Sequence, residues 1–170
     1  LAGGEACLTQ LVKQHADYRA HHKLAQLRLK QRRLDEAEQH WLKTTELNPA
    51  YTVPWIELTD MYLSTNRAPQ VQALTERATK LQQPLIASLL KARMLLMQRQ
   101  FDPAKSILRK AIQSHPHAVI AHEMLSHVLL AEGKDWSAAE QALQAVLALD
   151  PNNTIATRNL QVLRQKLGKQ

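Results

Sequence analysis

The chain has 170 residues and a formal charge of +7, with 22 lysines and arginines against 15 aspartates and glutamates. Only four glycines occur, none between Glu5 and Glu132, which argues for helices and against a turn-rich sheet protein, since tight strand connections favour glycine. No apolar run is long enough to span a bilayer and no signal-peptide pattern opens the chain; the single Cys7 excludes an intrachain disulfide and suits a reducing, cytoplasmic setting.

In chain order, the first predicted element is a helix from Glu5 to His15, with Leu8 and Leu11 facing a core, Cys7 as a small buried residue, and Ala16 where later segments carry proline. It reads as the second helix of a pair whose first member is missing. Together with Leu1 in the place of a start methionine, this marks the chain as an expected fragment of a longer protein.

Self-similarity organises the rest. The segments LDEAEQHWLKTTELNP (34–49), FDPAKSILRKAIQSHP (101–116) and WSAAEQALQAVLALDP (136–151) share one pattern. Ala37, Val71, Ala104 and Ala139 form a column spaced 34, 33 and 35. Trp41, Thr75, Leu108 and Leu143 form the next, Thr44, Ala78, Ala111 and Val146 a third, and Pro49, Pro84, Pro116 and Pro151 mark the ends. A weaker set precedes each: His21, Trp55, Ser88 and His122, then Leu24, Leu58, Lys91 and Leu125, then Ala25, Thr59, Ala92 and Ser126. Small residues let paired helices approach and large ones fill the facing gaps. Each period thus holds two helices, A and B, joined by KQRR, STNR, MQRQ or EGKD, and proline stops helix B. The last segment, TIATRNLQVLRQKL (154–167), matches helix A through Leu160 and is predicted to cap the preceding pair.

A period near 34 with these columns resembles the tetratricopeptide repeat (TPR) over nearly the whole chain. The resemblance implies an all-α fold, a right-handed α-α superhelix (TPR solenoid) of about ten antiparallel helices whose A helices line a concave face. The expected divisions are a half repeat over 1–17, repeats at 18–51, 52–84, 85–118 and 119–153, and a capping helix over 154–170. Arg32 departs from the usual turn glycine, Thr75 from a large residue, and Lys91 from the helix A leucine, with Leu89 and Leu90 compensating.

The segment AHEMLSH (121–127) looks like a disrupted zinc-protease helix. At about 100° per residue, His122 and His127 diverge by roughly 140°, whereas ligands four apart differ by about 40° and can hold one metal. His21 and His22 are adjacent, and His115 and His117 straddle Pro116 without a third ligand. No metal site, cofactor or catalytic residue is therefore expected, and no nucleophile–base pair or glycine-rich phosphate loop appears. Nucleic acid is likewise not expected: the cations are dispersed, and aromatics, at 4%, are too sparse to interleave with them.

Helical phase assigns the residues of the face. One row is Arg19, Val53, Ile86, Ile120 and Ile155; the next is His22, Ile56, Leu89, Glu123 and Arg158; a third is Gln26, Asp60, Arg93 and His127. The expected partner-binding groove is His22, Gln26, Val53, Ile56, Asp60, Ile86, Leu89, Arg93, Glu123, His127 and Arg158. Its middle, Val53, Ile56, Ile86 and Leu89, would form an apolar strip with a charged rim, unless the Val53 row is core. The carboxylate clamp of some tetratricopeptide domains is not matched: His22 and Gln26 hold its first two positions, Glu57 replaces an asparagine, and Ile86 and Leu90 replace the basic pair.

The segments GEACLTQLVKQHADYRA (4–20), LLKARMLLMQRQFDPAKSIL (89–108) and LSHVLLAEGKDWSAAEQALQAVLALDPNN (125–153) are similar to the tetratricopeptide tail of bacterial family 2 glycosyltransferases; the last carries one extra residue in the turn 133–136. This resemblance implies an upstream transferase domain and carries no catalytic residue onto this chain. The expected function is a non-catalytic interaction scaffold binding a protein, a peptide or the neighbouring catalytic domain of the same chain. The alternative is a self-association module forming homo-oligomers.

Overall fold

The computed structural model describes residues 7–12 and 17–168. Among them the chain is helical, without strand. Residues 7–12 form α1. It is followed by α2 (Tyr18–Lys30), α3 (Leu34–Leu47), α4 (Thr52–Ser64), α5 (Ala68–Lys80) and α6 (Pro84–Met97), then α7 (Phe101–Ser114), α8 (Val119–Glu132), α9 (Trp136–Leu149) and α10 (Thr154–Leu167). The A helices of the periodic reading are thus α2, α4, α6, α8 and α10, and the B helices α3, α5, α7 and α9. The chain divides into two compact units, Leu1–Ile86 and Ala87–Gln170, with the division inside α6.

The small columns are where helices meet. Ala37, Val71, Ala104 and Ala139 are fully buried, as are Ala25, Thr59 and Ala92. The buried hydroxyls there cost little, because each is satisfied within its own helix. Thr44 donates to the His40 carbonyl at 2.8 Å, Thr59 to Trp55 at 2.8 Å and Ser126 to Glu123 at 2.7 Å. In unit 2 these columns build a continuous apolar core from Leu129, Ala139, Ala142, Leu143, Val146, Ala156, Leu160 and Leu163. That core joins α8, α9 and α10. Lys91 is exposed while Leu89 and Leu90 are buried, the compensation expected for the missing leucine.

Three A-to-B turns and one other share a backbone device. Arg32, Asn66, Gln82 and Arg99 adopt φ between 55 and 61. After each, the next residue's N–H reaches back five residues, as in Arg33 to Arg28 at 2.9 Å and Arg67 to Tyr62 at 2.7 Å. This is the Schellman ending, which needs a left-handed residue. In the fourth turn, one residue longer, Gly133 takes that role at φ 70 with a single bond to the Leu129 carbonyl.

Proline stops α3, α7 and α9. Asn48, His115 and Asp150 precede Pro49, Pro116 and Pro151, and all three are forced toward extended φ of −142°, −137° and −135°. Pro84 does not belong to this series, contrary to the column reading. It opens α6, where a missing N–H costs nothing, and α5 ends instead on the left-handed Gln82. At the N-terminus, the helix expected from Glu5 to His15 lies partly outside the described residues. Within α1, Leu8 is half-buried and Leu11 and Cys7 are exposed, so the expected burial of Leu11 and Cys7 is corrected.

Candidate functional site

In unit 1 the space between α2, α3 and α4 is closed by a polar cluster centred on Glu57. Its Oε2 accepts from Trp41 Nε1 and His22 Nε2, each at 2.7 Å, and its Oε1 accepts from Gln26 at 2.8 Å. A carboxylate only accepts, so His22 Nε2 carries a hydrogen; a neutral ring then accepts the Tyr51 hydroxyl at Nδ1, 3.0 Å away. Burial alone would raise the Glu57 carboxyl, but the hydrogen bonds from His22, Gln26 and Trp41 outweigh it and hold the group below its usual range. Tyr51 also packs edge-on to His22 and to Tyr18. The indole of Trp41 is fully buried beneath this cluster.

In unit 2 the corresponding positions leave a cleft of about 290 Å³ between α8 and α10, floored by α9. Leu143 stands in the Trp41 column, and Asn159 occupies the helix A position of Glu57. Leu143 and Val146 form the floor; Ile120, Met124, Ile155 and Ala156 form the walls; Arg93, Glu123, His127, Asn153 and Asn159 supply polar groups. Asn153 does double service. Its Oδ1 caps α10 by accepting from the Ala156 N–H at 2.9 Å, and its Nδ2 donates to Glu123 at 2.6 Å. Glu123 is thereby held at the edge of the cleft.

Eleven residues were expected to line one groove, and the structure distributes them. His22, at 8% exposure, and Gln26 are tied to Glu57, so they form the closed cluster of unit 1 and no open groove. Val53 is exposed at 43%, and Ile56 and Asp60 are half-buried. Ile86, at 2% exposure, and Leu89 are core, which corrects the apolar strip expected through them: branched side chains at these positions are packed away from solvent. Arg93, Glu123 and His127 do line the unit 2 cleft. Arg158 is not among the residues lining it and stands on α10 beside Thr154, Thr157 and Gln161. The reading missed Glu57, Asn153, Asn159 and Val162. The last follows by extending the row Arg93, His127 by one more period, and Glu57 is betrayed by a lone carboxylate in the apolar run VPWIEL.

The histidines have other duties. His122 Nε2 donates to the Pro116 carbonyl at 2.9 Å, as Trp55 Nε1 donates to the Pro49 carbonyl at 3.0 Å. One column thus uses two different rings to close the same connection. His21 and His40 meet Nδ1 to Nδ1 at 3.0 Å, with rings tilted at 48°. Burial, then Lys43 for His21 and His21 itself for His40, holds both below their ordinary values. Among the described residues no three metal-ligating side chains converge. No described helix is long and apolar enough to cross a membrane.

Comparison with known proteins agrees with the helical order. Two family models described as tetratricopeptide repeat match residues 1–51 and 95–163. No curated protein matches the chain. Among solved structures, YrrB, described as a TPR protein with an unusual peptide-binding site, is 18% identical with a TM-score of 0.51, covering 95% of this chain and 84% of its own. PilW, a widely conserved type IV pilus biogenesis factor, is 17% identical with a TM-score of 0.58, covering 85% and 67%. The MamA 41-end fragment from Desulfovibrio magneticus RS-1 is 16% identical with a TM-score of 0.56, covering 89% and 85%. Identities this low carry the fold alone, and with the two sequence matches they establish that this chain is built of tetratricopeptide repeats.

Proposed function

We propose that the protein is a non-catalytic interaction scaffold and that the unit 2 cleft receives a segment of a partner protein. The observation that carries this reading is the cleft itself: a half-enclosed apolar hollow of about 290 Å³, rimmed by a few polar groups, at positions that unit 1 fills. YrrB's description as a TPR protein with a peptide-binding site is consistent with such a use of the fold. Random peptides displayed on phage and selected on the whole chain test it. Enriched peptides should lose about tenfold or more in affinity against Ile155→Asp and Asn159→Trp, which spoil the wall or fill the hollow. Enriched peptides indifferent to both changes, or no enrichment, would overturn the assignment.

The repeat divisions at 18–51, 52–84, 85–118 and 119–153 belong to the same proposal, as does a cytoplasmic setting. A place behind a family 2 glycosyltransferase domain rests only on the resemblance of 4–20, 89–108 and 125–153. Sequencing the gene upstream of Leu1 tests it; any other upstream domain would end it. Self-association is the second reading, motivated by exposed Ile155 and Val162 on α10. Sedimentation across concentration tests it, and a strict monomer counts against it.

A further inference from the structure

We infer that the occupant of this face is an acidic amphipathic segment of another protein, placing an apolar side chain in the cleft and a carboxylate over Arg158. The inference rests on the interaction reading above and adds the chemistry of the partner. It comes from how α10 uses its charges. The helix TIATRNLQVLRQKL holds three cations and no acid. Two of the three are turned back onto α9 and its start: Arg164 pairs with Glu140 at 2.7 Å, and Lys166 lies 4.2 Å from the Trp136 ring centre. Arg158 alone of the three has no ion pair, hydrogen bond or ring contact among the described residues.

Arg158 is also the one set between exposed apolar groups. Ile155 precedes it by three residues and Val162 follows by four, so the three form a single stripe along the helix. They are exposed at 71% and 57%, and Ile155 is shared with the cleft wall. A partner helix with apolar residues two turns apart and a carboxylate between them would match this stripe over about 10 Å. A basic partner is disfavoured, because the chain is +7 and the carboxylate at the cleft, Glu123, already accepts from Asn153. A second copy is disfavoured for the same reason, since pairing α10 with α10 sets cation against cation with no acid on either helix.

The test uses the peptides selected on the whole chain, labelled and followed by fluorescence anisotropy at low and high salt. The selected set should be enriched in Asp or Glu within one helical turn of a Leu, Ile or Phe. Replacing that acid by its amide should weaken binding about tenfold, a loss matched by Arg158→Glu and recovered when a lysine peptide meets that variant. Basic or uncharged selected peptides, or binding indifferent to Arg158→Glu but abolished by Ile155→Asp, would overturn the acidic occupant and leave the interaction reading standing. Binding indifferent to both variants would overturn both. A dimer that dissociates in Val162→Asp would instead assign the face to a second copy and overturn the proposal.

Discussion

Unit 1 and unit 2 place the same set of positions around the same kind of gap and fill it differently. His22, Gln26, Trp41, Tyr51 and Glu57 in the first correspond by period to Glu123, His127, Leu143, Asn153 and Asn159 in the second. Even one contact is repeated in place: Tyr51 touches His22, and Asn153 touches Glu123. In unit 1 the indole beneath and the longer carboxylate above close the gap. In unit 2 an isobutyl group and a shorter carboxamide leave it open. The repeat therefore supplies positions, and side-chain length at two of them decides whether a position set is filled or left open as a cleft.

That comparison is most directly broken by exchanging its two fillers. Trp41→Leu should cost unit 1 about 2–4 kcal/mol, combining the lost indole volume with the loss of one of the three donors to Glu57. Urea unfolding followed by the fluorescence of Trp55, the remaining unit 1 tryptophan, measures it. The reciprocal Leu143→Trp should close the unit 2 cleft and abolish peptide capture, at a packing cost of about 1–3 kcal/mol. Unchanged capture would mean that the floor of α9 does not shape the site.

Glu57→Gln sharpens the chemical half of the comparison. An amide has one acceptor oxygen for three donors and points hydrogens at one of them, so a loss of about 1–3 kcal/mol is expected. Because the folded carboxyl titrates below its unfolded value, its contribution is complete above about pH 4.5 and is lost as pH falls through the folded value. Wild-type stability should therefore fall on acidification in a range where Glu57→Gln is flatter. Parallel profiles would show that the cluster does not hold the ionised form.

A second pH effect belongs to unit 1 alone. His21 and His40 share one hydrogen between facing Nδ1 atoms, and two imidazolium rings cannot. Both titrate below their ordinary values, held down by burial and by nearby Lys43 and Arg28 against the weaker pull of Asp17, Glu36 and Glu46. Their contribution is thus full above about pH 6.5 and is lost as pH falls through the folded values. His40→Gln should flatten the unit 1 stability profile between about pH 7 and 5. Unit 2, followed by Trp136 fluorescence, should not respond.

Much of this was legible in the sequence. The columns at Ala37, Val71, Ala104 and Ala139 gave the helix pairs because only small residues fit that crossing, and all four are buried. The period also carried Arg93, Glu123 and His127 to the cleft. It did not reveal that Ile86 and Leu89 are core, since a branched residue at such a phase serves core or groove equally. Nor did it separate Pro84 from the prolines that end helices, because a residue type was matched where a one-residue offset mattered. The open volume depends on how far Leu143 and Asn159 extend relative to Trp41 and Glu57, a difference of shape and not of pattern.

The smallest effect concerns the turns, where the same backbone position carries three residue types in four turns. Arg32, Asn66 and Arg99 sit at φ 61, 58 and 56, and Gly133 at φ 70. A side chain in the left-handed region costs about 1–2 kcal/mol, while glycine gives back about 0.5–1 kcal/mol through the freer unfolded chain. Arg32→Gly and Arg99→Gly should therefore each stabilise by up to about 1 kcal/mol. Asn66→Gly should change little, since asparagine tolerates this region through local hydrogen bonding. Gly133→Ala should destabilise by about 1 kcal/mol through the backbone penalty of its positive φ, the added methyl making only ordinary contact with the Trp136 ring at 3.4 Å. Urea midpoints for the four variants check the order. If Asn66→Gly gained as much as the arginine changes, side-chain tolerance of the left-handed turn would not be what separates these positions.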